Sequence, residues 1–412
     1  MVRPELVVLA YSGGLDTTVI VHRLVHEQGR EVVALLADVG QGEDLVQAAA
    51  RATAAGASDV VVVDARKRFA DEFLVPAIAA NALYERRYPL VSALSRPLIV
   101  QLLVEEAQRR GAGALAHGCT GKGNDQVRFE VGFGALAPHL ETLAPVRDLA
   151  MSRPEAMEYA AKNGVDVGWI SRSKPWSVDQ NLWGRAIEAG VLEDAWFAPP
   201  EEAFAWTGSP LAQRQPRDIV VEFLAGLPVA VDGEAVDVAT AVERLNALVG
   251  PYGFGRVDML ENRRVGIKSR EIYEVPGALA LLTAHQELED LTLDRDLLHE
   301  KARLEQRYAE LVYDGLWFSP LKDALDAFMS QTQQAVTGEV RLQASPGRCV
   351  VTGRRGPAPL YRADLATYEV EDAFDHTAAR GFVRLWGQSV RTWAAVRQER
   401  QERQEQQEQA RS

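Results

Sequence analysis

Three observations predict an α/β protein whose first domain is a doubly wound parallel sheet. Apolar, strand-like runs alternate with alanine-rich helical stretches through the first third of the chain. Glycine-bearing loops follow two of those strands and lead straight into helices. After Pro154 the pattern changes to short strands and helices punctuated by proline and tryptophan, the mark of a second, α+β region.

Taken in order, Glu5 to Ala10 reads as a strand, the Ser12-Gly13-Gly14 turn follows, and Val19 to Val25 continues as a helix. Glu31 to Ala37 and Asp59 to Asp64 are further strands, with a helix over Asp44 to Ala55 between them. A long helix from Arg96 to Arg110 precedes the strand Ala112 to Ala116. A second loop, His117-Gly-Cys-Thr-Gly-Lys-Gly-Asn-Asp125, then opens a helix over Gln126 to Leu136. Beyond the breaks at Lys174-Pro-Trp, Ala198-Pro-Pro and Ser209-Pro, strands are expected at Ile219 to Leu224 and Val229 to Val231. Helices are expected at Val238 to Val249 and as one long element over about Ala278 to Val312. Phe382, Leu385, Trp386, Val390, Trp393 and Val396 form an apolar stripe before a polar tail, Arg397 to Gln409, which reads as a solvated helix. The expected divisions are 1–170, 171–365 and a C-terminal arm over 366–412.

Composition narrows the function. The 412 residues exceed one ordinary domain, and 47% hydrophobic with 25% charged residues is the balance of a globular protein. Two cysteines, Cys119 and Cys349, cannot make a secreted disulfide framework. No basic-then-apolar leader is seen, and no apolar run approaches the ~20 residues that span a bilayer, so a cytoplasmic protein with no membrane partner is expected. A net charge of −13 disfavours nucleic acid as a partner.

The first loop has a physical reading of its own. Gly13 and Gly14 let the backbone approach an anion, and Ser12, Thr17 and Thr18 surround the free N–H groups of the first helical turn. That helix end attracts phosphate without a lysine, and the lysine-containing ATPase loop occurs nowhere in the sequence. Ser-Gly-Gly-x-Asp-Thr resembles instead the loop of ATP pyrophosphatases, which split ATP between the α- and β-phosphates.

With the second loop included, the resemblance becomes specific. His117-Gly-Cys-Thr-Gly-Lys-Gly-Asn-Asp-Gln-Val-Arg-Phe-Glu130 together with Ala10-Tyr-Ser-Gly-Gly-Leu-Asp-Thr-Thr18 closely resembles argininosuccinate synthase. Ala37-Asp-Val-Gly-Gln-Gly-Glu43, Ala82 to Tyr88, Pro175 to Leu182, Gly255 to Asp258, Glu261-Asn-Arg263, Lys268 to Tyr273 and Ala309 to Gly315 extend it over nearly the whole chain. The resemblance implies a HUP-like ATP-pyrophosphatase domain, an α+β synthetase domain and a helical arm for a homotetramer. It further implies ATP as substrate with bound Mg²⁺, and ligation of citrulline to aspartate through a citrullyl-adenylate in arginine biosynthesis, releasing AMP and pyrophosphate.

The implied ATP site is Ala10, Tyr11, Ser12, Gly13, Gly14, Leu15, Asp16, Thr17 and Thr18, with Ala37 and Gly118 leaving room for adenosine. Asp16 would brace the loop or reach a Mg²⁺-bound water, and no protein-only metal site is expected. Thr120, Asn124 and Asp125 match the aspartate site, the first two donating to carboxylate and Asp125 accepting from the amine. Tyr88, Asn124, Arg128, Ser177, Glu261 and Tyr273 match the citrulline site, Arg128 suiting its carboxylate and Glu261 its ammonium. Asp16, Asn124, Asp125 and Arg128 are the residues expected to carry the chemistry. Two serines that the family often carries are here Ala93 and Ala186, and each lost hydroxyl contact is worth about 1 kcal/mol if nothing replaces it.

Other features read as structural. His22 and His26 have metal-compatible spacing but no third ligand. Gly111-Ala-Gly-Ala-Leu-Ala116 formally matches a dinucleotide fingerprint in the wrong structural order and reads as a turn. Cys119 reads as a packing residue, while Lys122 is open between phosphate contact and spacer. Two rival functions are a tRNA-thiolating pyrophosphatase, which needs catalytic cysteines, and a non-catalytic nucleotide-binding regulator; glutamine-dependent relatives fit poorly, since the chain begins Met-Val.

Overall fold

The computed structural model describes residues 3–168, 176–212, 214–369 and 373–411. The expected boundary near 170, and Lys174 and Pro175 of the quoted motifs, lie outside them. The described chain forms two compact units, one ending at Pro359 and one beginning at Leu360.

The first unit opens with a five-stranded parallel sheet of β1 (Arg3–Ala10), β2 (Glu31–Asp38), β3 (Asp59–Asp64), β4 (Ala112–Ala116) and β5 (Glu141–Leu143). Their spatial order is β3-β2-β1-β4-β5, so the chain winds one way from β1 and then reverses, leaving a crevice at the carboxyl ends of β1 and β4. Leu6, Val7, Val8 and Leu9 are fully buried because β1 lies centrally with both faces covered. Helices α1 (Leu15–His26) and α2 (Leu45–Ala54) follow β1 and β2. Before β4 comes α3 (Val91–Arg110), which begins five residues ahead of the expected Arg96. Pro97 obscures that start in the sequence, because as the seventh residue of the helix it removes one intrahelical N–H donor. Gly111 closes the helix at φ +67°, a turn as expected. Helices α4 (Asp125–Leu136) and α5 (Arg153–Asn163) complete this layer.

Two antiparallel sheets follow. One has the order β11 (Arg256–Asn262), β12 (Lys268–Glu274), β7 (Gly184–Glu188), β6 (Ser177–Asn181). The other has the order β10 (Glu234–Ala235), β9 (Leu227–Val231), β8 (Arg217–Leu224), β13 (Gly338–Ser345), β14 (Arg348–Arg355). Helices α6 (Val238–Val249), α7 (Pro276–Thr292), α8 (Arg295–Tyr313) and α9 (Pro320–Gln333) belong to the same unit. The single helix expected over Ala278 to Val312 is thus two. Leu293 is extended, and the Asp294 carboxylate accepts from the N–H groups of Asp296 and Leu297 at 3.0 and 3.3 Å, capping a new helix.

The second unit contains α10 (His376–Trp386) and α11 (Gln388–Gln409). The apolar stripe from Phe382 to Val396 is exposed along them, and the polar tail is helical to Gln409.

Candidate active site

The first loop is shaped by its glycines and hydroxyls. Gly13 has φ +74°, and a Cβ there would lie 2.9 Å from the Ala48 Cβ, so conformation and space both demand glycine. Ser12 Oγ lies 3.1 Å from Thr17 Oγ1 and accepts from Gly14 N–H at 3.3 Å. Thr18 donates to Gly14 carbonyl at 2.8 Å and lies 2.8 Å from the Tyr11 hydroxyl. Arg51 Nε donates to the Gly13 carbonyl at 3.2 Å. No side chain caps α1, which leaves its first N–H groups for a ligand. Asp16, in that first turn, is pushed up by burial, and Arg153 partly offsets this. Ala37, half-buried near the end of β2, has its carbonyl held by Gln41 at 2.8 Å.

The second loop meets the first. A Cβ on Gly118 would lie 2.7 Å from Thr17 Cγ2 and 3.2 Å from Ile20 Cδ1, so glycine is what allows the close approach. His117 is fully buried; its Nδ1 accepts from Cys119 N–H at 3.2 Å and its Nε2 faces Glu130, itself paired with Arg147. Those bonds occupy the ring. Burial pushes the Cys119 thiol far up, which agrees with a packing role.

Beyond the loop lies a cleft of about 310 Å³. Its walls bring together Tyr88, Gly118, Thr120, Asn124, Asp125, Arg128, Glu261 and Tyr273 from the expected set. Ser177 is exposed on β6 and is not among the walls. Ala186 is a wall, whereas Ala93 is 1% exposed and sits in the core. Ser92 lines the cleft instead, donating to Asp179 at 2.6 Å.

Two charge clusters divide this cleft. At one end Asp125 accepts from Arg96 at 2.9 Å and from Arg128 at 2.8 Å, and Arg96 also donates to Asp179 at 2.5 Å. Burial opposes the Asp125 charge, but the two guanidinium groups outweigh it and hold the carboxyl well below its usual range. Arg128 donates through Nε and Nη2 to the Tyr313 carbonyl at 3.1 and 3.0 Å. One N–H then remains on each terminal nitrogen.

At the other end both Glu261 oxygens accept, from the Tyr273 and Tyr313 hydroxyls, each at 2.7 Å. Burial raises the Glu261 pKa, and these phenols counteract it. The Tyr273 ring stacks on Tyr88 with centroids 4.2 Å apart. Asn124 joins the ends: its amide donates to Tyr313 Oη at 2.8 Å and accepts from Arg264 N–H at 3.0 Å.

Sequence reasoning missed Arg96, Asp179, Arg263, Glu271 and Tyr313 as cleft walls. Arg96 stands three residues after Ala93 and Tyr313 lies within Ala309 to Gly315, but nothing local in the sequence marks either as a wall of the cleft. His22 Nδ1 lies 3.0 Å from the Tyr159 hydroxyl, a structural contact. Lys122 is exposed.

Two family models match the chain. The arginosuccinate synthase N-terminal HUP domain matches residues 6–166, and the arginosuccinate synthase C-terminal domain matches residues 176–393. The argininosuccinate synthase of Rubrobacter xylanophilus is 54% identical over 397 residues, covering 96% of this chain and 97% of the relative. That of Thermosynechococcus vestitus is 53% identical, covering 96% and 98%.

Proposed function

The chain belongs to the argininosuccinate synthase family, and from that membership we propose how its own residues divide the work of the reaction. The enzyme ligates citrulline to aspartate at the expense of ATP, in arginine biosynthesis. The observation that carries the residue assignment is the cleft with Asp125 pinned between two arginines at one end and Glu261 between two phenols at the other.

The ureido oxygen of citrulline attacks the α-phosphorus of ATP and the bond to pyrophosphate breaks. The loop and first turn from Ser12 to Thr17 offer N–H groups and the Ser12 and Thr17 hydroxyls to the phosphates, Thr18 braces the loop through the Gly14 carbonyl and the Tyr11 hydroxyl, and Gly118 leaves space beside them. Mg²⁺ bound with ATP would neutralise phosphate charge, and Asp16, in the first turn of the same helix, is the carboxylate that would hold its bound water. Glu261 receives the citrulline ammonium, and the two remaining N–H groups of Arg128 receive its carboxylate. Tyr88 and Tyr273 wall the aliphatic stem.

The aspartate amine next attacks the ureido carbon, the carbon–oxygen bond breaks, and AMP leaves carrying the ureido oxygen. Thr120 and the second amide N–H of Asn124 bind a carboxylate of aspartate, and Asp125 accepts from its amine. Because its carboxyl is held so strongly ionised, Asp125 orients that amine and does not take its proton. Catalysis here is chiefly positioning and charge stabilisation. Citrulline labelled with ¹⁸O in the ureido group should transfer the label to the phosphate of AMP; label retained in argininosuccinate would contradict the adenylate route.

We further propose functional divisions near residues 170 and 365, a homotetramer assembled through the exposed stripe of α10 and α11, and a cytoplasmic location. Among the described residues no helix is long and apolar enough to cross a membrane.

A further inference from the structure

One guanidinium in the cleft has no part in the chemistry just described, yet it touches three separate pieces of chain. Arg263 lies in the turn after β11 with its side chain 16% exposed. Its Nη2 donates to Glu188 of β7 and to Glu271 of β12, both at 2.6 Å, and its Nε donates to Ser269 Oγ at 2.7 Å. Its Nη1 donates to the carbonyl of Lys122, inside the second glycine loop, at 3.3 Å. The N–H of the next residue, Arg264, donates to Asn124 at 3.0 Å. Two consecutive residues of one hairpin turn therefore clasp the loop that carries Thr120, Asn124 and Asp125.

Charge explains why an arginine is needed. Glu188, Glu261 and Glu271 all line the cleft at this end, and Glu271 is almost wholly buried. Burial together with Glu188 and Glu261 pushes the Glu271 carboxyl up to about 8, and Arg263 opposes that rise. A planar fork bonds two carboxylates, a hydroxyl and a carbonyl at once, which a lysine ammonium with three donors on a flexible stem does not reproduce.

We propose that Arg263 is a positioning residue that couples the two amino-acid sites, fixing the carboxylates of the citrulline end while holding the aspartate-binding loop in register with them. The proposal rests on the assignment of those two ends given above. Arg263 touches neither reacting group, so its effect is on binding geometry.

The test is steady-state ligation by the full-length enzyme, with ATP, citrulline and aspartate each varied. Arg263→Gln should raise KM for citrulline and for aspartate about tenfold each while leaving KM for MgATP within twofold. Arg263→Lys keeps a charge beside Glu188 and Glu271 but loses the Lys122 carbonyl. It should recover most of the citrulline KM while the aspartate KM stays raised. Should Arg263→Gln fail to fold, the lysine variant tests the proposal by itself, through an aspartate KM raised well above the parent's with KM for MgATP within twofold. Amino-acid KM values within twofold of the parent, or an equal rise in all three including MgATP, would overturn the proposal. If the parent enzyme itself formed no argininosuccinate, the site assignment would fall instead.

Discussion

Asp125 shows how a residue's role follows from its neighbours. Its carboxylate makes charge-assisted hydrogen bonds to Arg96 and Arg128, each of a kind worth ~1.5–3 kcal/mol. Asp125→Ala should slow ligation by at least 10- to 100-fold, on the same scale of one charged hydrogen bond to the amine, while citrulline-dependent exchange of pyrophosphate into ATP persists. Normal use of aspartate by the variant would show the assignment wrong. The pH consequence has a definite sign. A carboxyl whose folded pKa is depressed adds stability that is complete above its unfolded pKa of about 3.9 and disappears as pH falls through the folded value. The Asp125→Ala and parent stability curves should therefore converge only on acidification below about pH 4. The residues of the two loops were legible because glycine, hydroxyl and amide types at fixed spacing have few other uses. Arg96 was not, because its partner Asp179 is distant in sequence and meets it only in the fold. Ala186 belongs to the same scale: as a cleft wall beside Tyr273 it is the position where a hydroxyl can reach ligand. Ala186→Ser should lower KM for citrulline by about fivefold, the worth of roughly 1 kcal/mol, and an unchanged KM would mean the contact is supplied elsewhere.

Among the elements, helices α7, α8 and α9 are joined by a buried polar network that periodicity could not reveal. Glu289, 2% exposed, accepts from Lys301 at 3.0 Å, from Asn81 at 2.7 Å and from Gln333 at 2.7 Å. Lys301 is 1% exposed and also pairs with Glu305 at 2.5 Å, and His285 lies between Asn81 and Gln333. Charged residues at these positions read as solvent-facing in a helical pattern, and only the packing of Asn81 against them inverts that reading. Removing one member leaves the others buried and uncompensated. Glu289→Ala should cost about 3–5 kcal/mol in a denaturant titration, and a loss under 1 kcal/mol would mean the network contributes little. The split between α7 and α8 was legible in principle, since Asp294 is a standard N-cap; uninterrupted helical spacing on both sides concealed it. The parallel sheet was legible because buried strands read as continuous apolar runs, whereas the polar β6, β11 and β12 carry no such signal.

For the whole molecule, the apolar stripe on α10 and α11 is the feature that calls for a partner. Leu385, Trp386 and Val390 are each more than 60% exposed, and a contiguous apolar face of this kind marks an interaction surface. Paired Trp386→Asp and Trp393→Asp substitutions should reduce the mass in light scattering below that of a tetramer at micromolar concentration, and an unaltered tetramer would remove the stripe from the assembly. In the proposed function this cleft makes an adenylate from citrulline and resolves it with aspartate. Pyrophosphate release from MgATP, with each amino acid omitted in turn, tests it most directly. Sustained release only when citrulline and aspartate are both present, with at most a single-turnover burst from citrulline alone, is the predicted result. Sustained release without either amino acid, or silence with both present, would contradict it.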